Sequence, residues 1–384
     1  MTRPPIRALT IGVAEPHPVP AATLDGAVSR AQRARAAFQA EGYEVQTIRI
    51  STRPLLDDLA DWSAQRILDY ALALDDALAS ADGDLIASIG CAPAHRPSFD
   101  LERLEVLAEV LVQARLLYGT AQLATVTDGV RHDAALPAAR IALRLARETG
   151  EGFGTFRFAA IACVEPGCPF FPAGYHHGAA SLWIGWQGAG IIAAASAGES
   201  RTLTDRLREA LIASGTPIVE LGTRVAEELG VRFGGLDVSP APACDDSIGR
   251  AIESCGDVPV GAPGTFAVVG AMTNALRTTG LPICGYSGLM LPIMEDSVLV
   301  RRWADGGLVI HQLLAYSAVC GTGLDAVPLP GDVTEDEVAA LYLDVATLAV
   351  RLGKPLSARL MPIPGKRRGE LTNFSSPHLV NTRI

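Results

Sequence analysis

Short apolar runs and longer stretches of helical spacing take turns through the first 150 residues of this chain. That alternation confines it to folds built on a largely parallel sheet, because repeated strand–helix–strand units need crossover connections. Ile6–Val13 is a strand-length apolar run, and Ala21–Glu41 carries Leu24, Val28, Ala31, Ala34 and Phe38 at helical spacing. Tyr43–Ile50 alternates and is β-branched, while Asp61–Ala81 places Ile67, Leu68, Ala71, Leu74 and Leu78 on one side of a helix. A strand over Asp84–Gly90 is followed by a helix over Leu101–Leu117 with Asp100 as its cap, a strand over Gln122–Thr127 and a helix over Ala134–Glu148.

The remaining chain is less regular. Strands are expected at Arg157–Val164 and Ser181–Trp186, around the Pro/Gly-rich excursion Glu165–Gly178, then at Gly235–Ser239, Pro282–Tyr286, Leu324–Leu329 and Ser357–Ile363. Helices are expected at Thr202–Ala213, Ile218–Leu229, Ser247–Cys255, Thr265–Thr278, Asp296–Ala304 and Val309–Ala318. A capping box, Thr334-Glu-Asp-Glu337, opens a helix to Leu352. No internal repeat or composition break marks a linker, so a single α/β body over residues 1–384 is expected, with a regular first half and a site-bearing second half. Open twisted sheets of about ten strands tend to curl or split. The expected fold is therefore a large, barrel-like, mostly parallel sheet surrounded by helices.

Composition narrows the function classes. Hydrophobic residues make up 49% of the 384 and charged ones 19%, enough to bury a large core. The formal net charge of −10 argues against nucleic acid or anionic lipid as a partner, and Lys366-Arg367-Arg368 is too short a basic run to track a backbone. Seven scattered cysteines fit reduced thiols in a cytoplasmic protein. No apolar stretch reaches membrane-spanning length, and the N-terminus leads into a strand-like run, so no membrane partner is expected. Gly285-Tyr-Ser-Gly288 lacks the second glycine of a nucleophile elbow, since Leu289 stands there. No phosphate loop, C-x-x-C or H-E-x-x-H occurs, and Gly185-Trp-Gln-Gly-Ala-Gly190 has the wrong offsets for a nucleotide cofactor.

The chemistry-bearing residues collect where apolar runs end. Cys244-Asp-Asp-Ser-Ile-Gly249 pairs Asp245 and Asp246, more carboxylate than a helix cap at Asp246 or Ser247 requires. Asp237 sits inside an apolar strand and needs a partner. Gly174-Tyr-His-His-Gly178 offers His176 and His177 for proton transfer or metal ligation. Tyr286, Ser287, Glu295 and Asp296 bracket the run Leu289–Met294, with Glu295 or Asp296 starting a helix. Cys320-Gly-Thr-Gly-Leu-Asp325 sets a thiol and an acid beside flexible backbone. An inert buried thiol, a solvated basic loop and plain helix capping remain the bland alternatives.

Taken together, Asp245-Asp246-Ser-Ile-Gly249, Gly285-Tyr-Ser-Gly-Leu-Met-Leu-Pro-Ile-Met-Glu-Asp296 and Ala318-Val-Cys-Gly-Thr-Gly-Leu-Asp-Ala-Val-Pro-Leu-Pro-Gly-Asp332 resemble the domain-of-unknown-function 711 family. Pro169-Phe-Phe-Pro-Ala-Gly-Tyr-His-His-Gly178 adds to the likeness, which runs from about Ile6 to Asn381. The resemblance implies a ten-stranded barrel related in shape to pyruvate formate-lyase and anaerobic ribonucleotide reductase, with two half-barrels around a central loop. It brings no established reaction and no functional residues. The glycyl-radical setting is missing, because the tail offers only Gly369 in Lys366-Arg-Arg-Gly-Glu-Leu.

The expected function is an enzyme of non-redox acid–base or metal-assisted chemistry, such as hydrolysis, elimination or isomerisation, on a small polar molecule. His176, His177, Asp245, Asp246 and Cys320 are the expected catalytic groups. Tyr286, Ser287 and Lys366 are the expected substrate contacts, and Asp237, Glu295 and Asp325 could hold a divalent metal ion. A metabolite- or cation-binding module without catalysis is the alternative, an oligomeric structural protein a third. Self-association into a homo-oligomer is expected from the high apolar content.

Overall fold

The computed structural model describes residues 3–81, 85–197, 202–244 and 246–384. The first half alternates as expected: β1 (Ile6–Gly12), α1 (Ala21–Ala40), β2 (Val45–Ser51), α2 (Leu55–Asp58), α3 (Ala64–Ala79), β3 (Leu85–Ala92), α4 (Leu104–Gln113), β4 (Leu117–Thr125), β5 (Gly129–Val130), α5 (Ala135–Glu148) and β6 (Phe158–Ala162). The second half contains β7 (Ser181–Trp186), α6 (Ala189–Ala195), α7 (Leu203–Leu229), β8 (Arg232–Asp237), α8 (Ile248–Gly256), α9 (Thr265–Arg277), α10 (Ser297–Ala304), α11 (Ile310–Ser317), β9 (Gly323–Pro330), α12 (Glu335–Leu352) and β10 (Leu356–Ile363).

Several boundaries differ from the sequence expectation for identifiable reasons. The helix expected to reach Leu117 stops at Gln113, and its first turn is a 3-10 turn capped by the Asp100 carboxylate. The buried Asp75 carboxylate accepts the backbone N–H groups of Arg115 and Leu116, which ends the helix and launches β4 early. The helices expected on either side of Ser214-Gly-Thr-Pro217 are one helix, with Pro217 inside it. Gly215 lets that helix lie on Leu281, Leu236 and Trp186, a close approach that leaves little room for a side chain. Ser247 rather than Asp246 caps α8, and Asp296 rather than Glu295 caps α10 through Val298 and Leu299. The Thr334–Glu337 capping box forms as expected.

The strands join in the order β8-β7-β1-β2-β3-β4-β6-β10-β9, with β5 a short hairpin partner of β4. β1, β2, β3, β4 and β6 run parallel to one another. Antiparallel joins at β1·β7 and β6·β10 attach strands of opposite direction, which pair in parallel as β7·β8 and β9·β10. Between the edges β8 and β9 lies segment 282–292. It makes isolated parallel bridges, Leu236 with Ile283 and Pro292 with Asp325. Pro282, Pro292 and the left-handed Gly285 and Ser287 keep it from forming a continuous ladder. The sheet is barrel-like, with this segment filling the gap rather than closing it by regular hydrogen bonding.

Alternation along the strands sorts the two faces. In β2, Ile48 and Ile50 belong to the main core under the helices, whereas Thr47, Arg49 and Ser51 occupy the other face. In β10, Leu356, Ala358 and Leu360 pack outward, leaving Ser357, Arg359 and Met361 inside. The loop after β6 fills much of the interior. Its Cys168, Phe170, Ala173 and Tyr175 form a separate apolar cluster with Cys91, Ile161, Tyr286 and Met290. The Pro169 carbonyl accepts from Thr10 Oγ1 at 3.4 Å and Arg49 Nη1 at 3.0 Å, which ties the loop to β1 and β2.

Candidate functional site

Two register breaks shape the interior. Leu324 pairs with Ala358 and Val327 with Leu360, so Asp325 and Ala326 together oppose Arg359. Ala326 takes the left-handed φ of 45° that such a bulge needs. At the join of β1 and β7, Ile6 pairs with Trp186 and Ala8 with Gly185, which leaves Arg7 as the extra residue. Both bulges put charged side chains into one cavity of about 80 Å³. Its lining includes Arg7, Arg49, Tyr118, Tyr286, Glu295, Asp325 and Arg359, with Phe156, Phe170 and Phe171 as apolar walls.

Arg7, Arg49, Ile86, Tyr118 and Phe156 also line a second space of about 960 Å³, a vestibule running outward past Leu85, Leu116, Arg115, Cys244 and His378. The mouth thus lies at the N-terminal ends of the first parallel block. Because the second block runs the other way, the loops beyond the C-terminal ends of β8 and β10 reach the same mouth.

Charge inside the cavity is organised by arginine. Arg359 donates through Nε to Asp325 Oδ1 at 2.7 Å, and through Nη2 to Glu295 Oε1. Arg7 Nη2 reaches the other Glu295 oxygen at 3.0 Å. Burial opposes the Arg359 charge, but Asp325 and Glu295 outweigh it and hold the guanidinium above its ordinary value. Burial raises the Asp325 carboxyl against the pull of Arg359, and the Glu295 charge adds to the rise. Burial likewise raises the hydroxyls of Tyr118 and Tyr286, which stay neutral donors at physiological pH.

Arg49 is different. It is 7% exposed, and burial, aided by Arg7, lowers its guanidinium to about 10. Nε donates to Thr47, Nη1 donates to Pro169, and Cζ lies 5.1 Å from the Phe171 ring centre. Among the described residues no carboxylate pairs with it, and Nη2 donates no hydrogen bond. Nearby hydroxyls of Tyr286 and Thr322 are buried without a hydrogen-bond partner among the described residues.

Of the residues expected from sequence, the cavity gathers Tyr286, Glu295 and Asp325. Asp237 lies behind it, fully buried, accepting the N–H groups of Tyr286, Ser287 and Ser239 and the Ser239 hydroxyl. Burial raises its carboxyl to about 6 despite these bonds. Ser287 donates its hydroxyl to the Cys284 carbonyl and its N–H to Asp237, so it supports the turn that presents Tyr286. Asp246 is half-buried and accepts from Gln187 Nε2 at 2.6 Å, away from the cavity lining. Asp245 lies outside the described residues.

His176 and His177 lie toward the other end of the barrel. His176 is anchored by its N–H to the Thr52 carbonyl and its ring stacks close over Gly12, while Arg7 lines the cavity five residues earlier on the same strand. That separation is about 16 Å at strand rise. Burial lowers the His176 imidazole, and His177 is exposed. Cys320 is fully buried in the main core, its carbonyl accepting from Lys354 Nζ. Lys366 stands on the turn after β10, outside the cavity.

Among the described residues, no three His, Cys, Asp or Glu side chains gather closely enough to share a metal ion. Among the described residues lining the cavity, Glu295 and Asp325 are the two carboxylates, and Arg359 pairs with both. Within the cavity both acids pair with guanidinium groups.

Sequence reasoning passed over Arg7, Arg49, Arg359 and Tyr118. The signal was present: Val45-Gln-Thr-Ile-Arg-Ile-Ser51 and Leu356-Ser-Ala-Arg-Leu-Met-Pro-Ile363 each set an arginine inside an apolar strand. The same reasoning that singled out Asp237 applies to a buried cation.

No helix among the described residues is long and apolar enough to cross a membrane. The chain is 34% identical over 347 residues to a UPF0210 protein of Pyrobaculum arsenaticum, covering 86% of this chain and 76% of that one. It is 30% identical to a UPF0210 protein of Desulforudis audaxviator, covering 87% and 77%, and 27% identical to one of Bifidobacterium longum subsp. infantis, covering 81% and 72%. Residues 4–375 match the family model described as Uncharacterised ACR (DUF711), and the chain belongs to that family.

Proposed function

We propose that the barrel cavity is the site of an enzyme that binds a small anion and carries out non-redox acid–base chemistry on it. The observation that supports this reading is Arg49: a buried guanidinium that lines the cavity, with no carboxylate partner among the described residues and no hydrogen bond from Nη2. A buried unpaired charge is costly, and a bound carboxylate or phosphate would offset that cost with a charge-assisted contact. Tyr118 and Tyr286 add neutral donors around the same space. Asp325, raised by burial, is the group placed to exchange a proton with the bound molecule.

A binding module without turnover is the second reading. Its support is that Glu295 and Asp325 already hold ion pairs to arginine, an arrangement that favours fixed charge over proton transfer.

Ligand-detected NMR against small carboxylates and phosphate, with product formation followed in the same tubes, tests both readings. Binding by wild type that is lost in Arg49→Met supports the anion site, and binding unchanged in that variant overturns it. Turnover that disappears in Asp325→Asn while binding persists supports the enzyme. Binding without turnover across the series leaves the module.

A further inference from the structure

We infer that the ligand of this cavity is an amphiphilic monocarboxylate, with its head at Arg49 and an apolar body lying in the vestibule. The inference rests on the anion-site reading above and narrows it in charge, size and polarity.

Charge comes first. Three guanidinium groups, Arg7, Arg49 and Arg359, face two carboxylates, Glu295 and Asp325, among the described residues lining the inner cavity. One positive charge is left over, which balances a monoanion and leaves a dianion half unmatched. Glu295 is already engaged on both oxygens and Asp325 on one, so neither turns away to make room for a second negative charge.

Size is next. The inner cavity, at about 80 Å³, is small beside the vestibule and takes the charged head with few further atoms. Anything larger extends into the vestibule, whose volume of about 960 Å³ is typical of a small-molecule site. The shared walls, Ile86, Tyr118 and Phe156 among them, make the two spaces continuous.

Polarity decides what extends there. Beyond Ile86 the vestibule wall continues with Leu78, Leu85 and Leu116, and it also carries Glu44, Arg115 and His378. Leu116 and Ile86 are half-buried rather than fully packed, so their remaining apolar surface lies open to a ligand. A buried cation at the bottom of a partly apolar funnel matches a molecule that is charged at one end only.

Isothermal titration with acetate, butyrate, hexanoate and octanoate, and with octyl phosphate as a dianion, tests this on the full chain. Affinity is expected to rise about threefold to fourfold per added methylene until the vestibule is filled. Octyl phosphate is expected to bind more weakly than octanoate. Leu116→Gln is expected to flatten the chain-length gain while leaving acetate affinity unchanged, and Arg49→Met to abolish binding throughout. Acetate binding that depends on Arg49 but shows no chain-length gain overturns the amphiphile and leaves the anion site standing. Tighter binding of octyl phosphate overturns the monoanion assignment. Failure of every carboxylate and of octyl phosphate to bind wild type overturns both.

Discussion

Asp325 and Arg359 face each other because strand β9 carries one residue more than β10 at that point. The bulge at Asp325–Ala326 turns the carboxylate onto the guanidinium, Nε to Oδ1 at 2.7 Å, and Arg359 also carries Glu295. One buried cation therefore holds together acids from two segments that are distant in sequence. Replacing Arg359 with Met strands the buried Asp325 carboxylate and leaves Glu295 with Arg7 alone, which should destabilise the fold by about 3–5 kcal/mol. Urea unfolding of Arg359→Met is the measurement, and the triple variant with Glu295→Gln and Asp325→Asn should recover part of the loss.

Arg49 predicts the opposite sign. It is buried without a carboxylate partner among the described residues, so Arg49→Met should make the unliganded protein more stable, by about 1 kcal/mol, while removing anion binding. A raised unfolding midpoint together with lost ligand response is the expected pair of results.

Asp237 predicts a pH dependence. Its folded-state carboxyl stands at about 6, above the ordinary 3.8. The folded protein thus holds this proton more tightly than the unfolded chain does. The stability that Asp237 contributes is fully present below about pH 4 and is lost as pH rises through about 6. Asp237→Asn should remove that slope. At pH 7 it should cost about 1–3 kcal/mol, because an amide N–H₂ would then oppose the Tyr286 N–H. Denaturation midpoints between pH 4 and pH 7 for both proteins check this.

Gly288 and Gly321 set the approach of the bridging segment to the loop before β9. A side-chain carbon on Gly288 would fall 2.3 Å from the Gly321 Cα. Gly288→Ala should therefore destabilise by about 1–3 kcal/mol through overpacking against backbone, and disturb Tyr286 two residues away. Thermal unfolding and the ligand response would both shift.

The alternating first half and the capping boundaries were legible because they depend on local spacing. Leu24 to Phe38 mark a buried helix face whatever lies opposite, and Thr334 with Glu337 cap a helix by contacts within one turn. That Tyr286, Glu295 and Asp325, which line the cavity, need partners was also visible, since acids and tyrosine beside apolar runs require them. Their partners were less visible. Arginine in a strand reads as an exposed residue unless its neighbours across the sheet are known, and Arg49 lies within the chain's most regular half.

The sequence by itself determined a helix-wrapped, mostly parallel sheet, because periodicity and turn chemistry are properties of neighbouring residues. Only the tertiary structure decided the reversal of direction at β1·β7 and β6·β10, the loop folded into the interior, and the pairing of Glu295 and Asp325 with arginine. The last of these depends on one-residue register breaks at Arg7 and Asp325, each of which selects the face a side chain occupies. A register break is a relation between two strands, and it leaves no mark in either one alone.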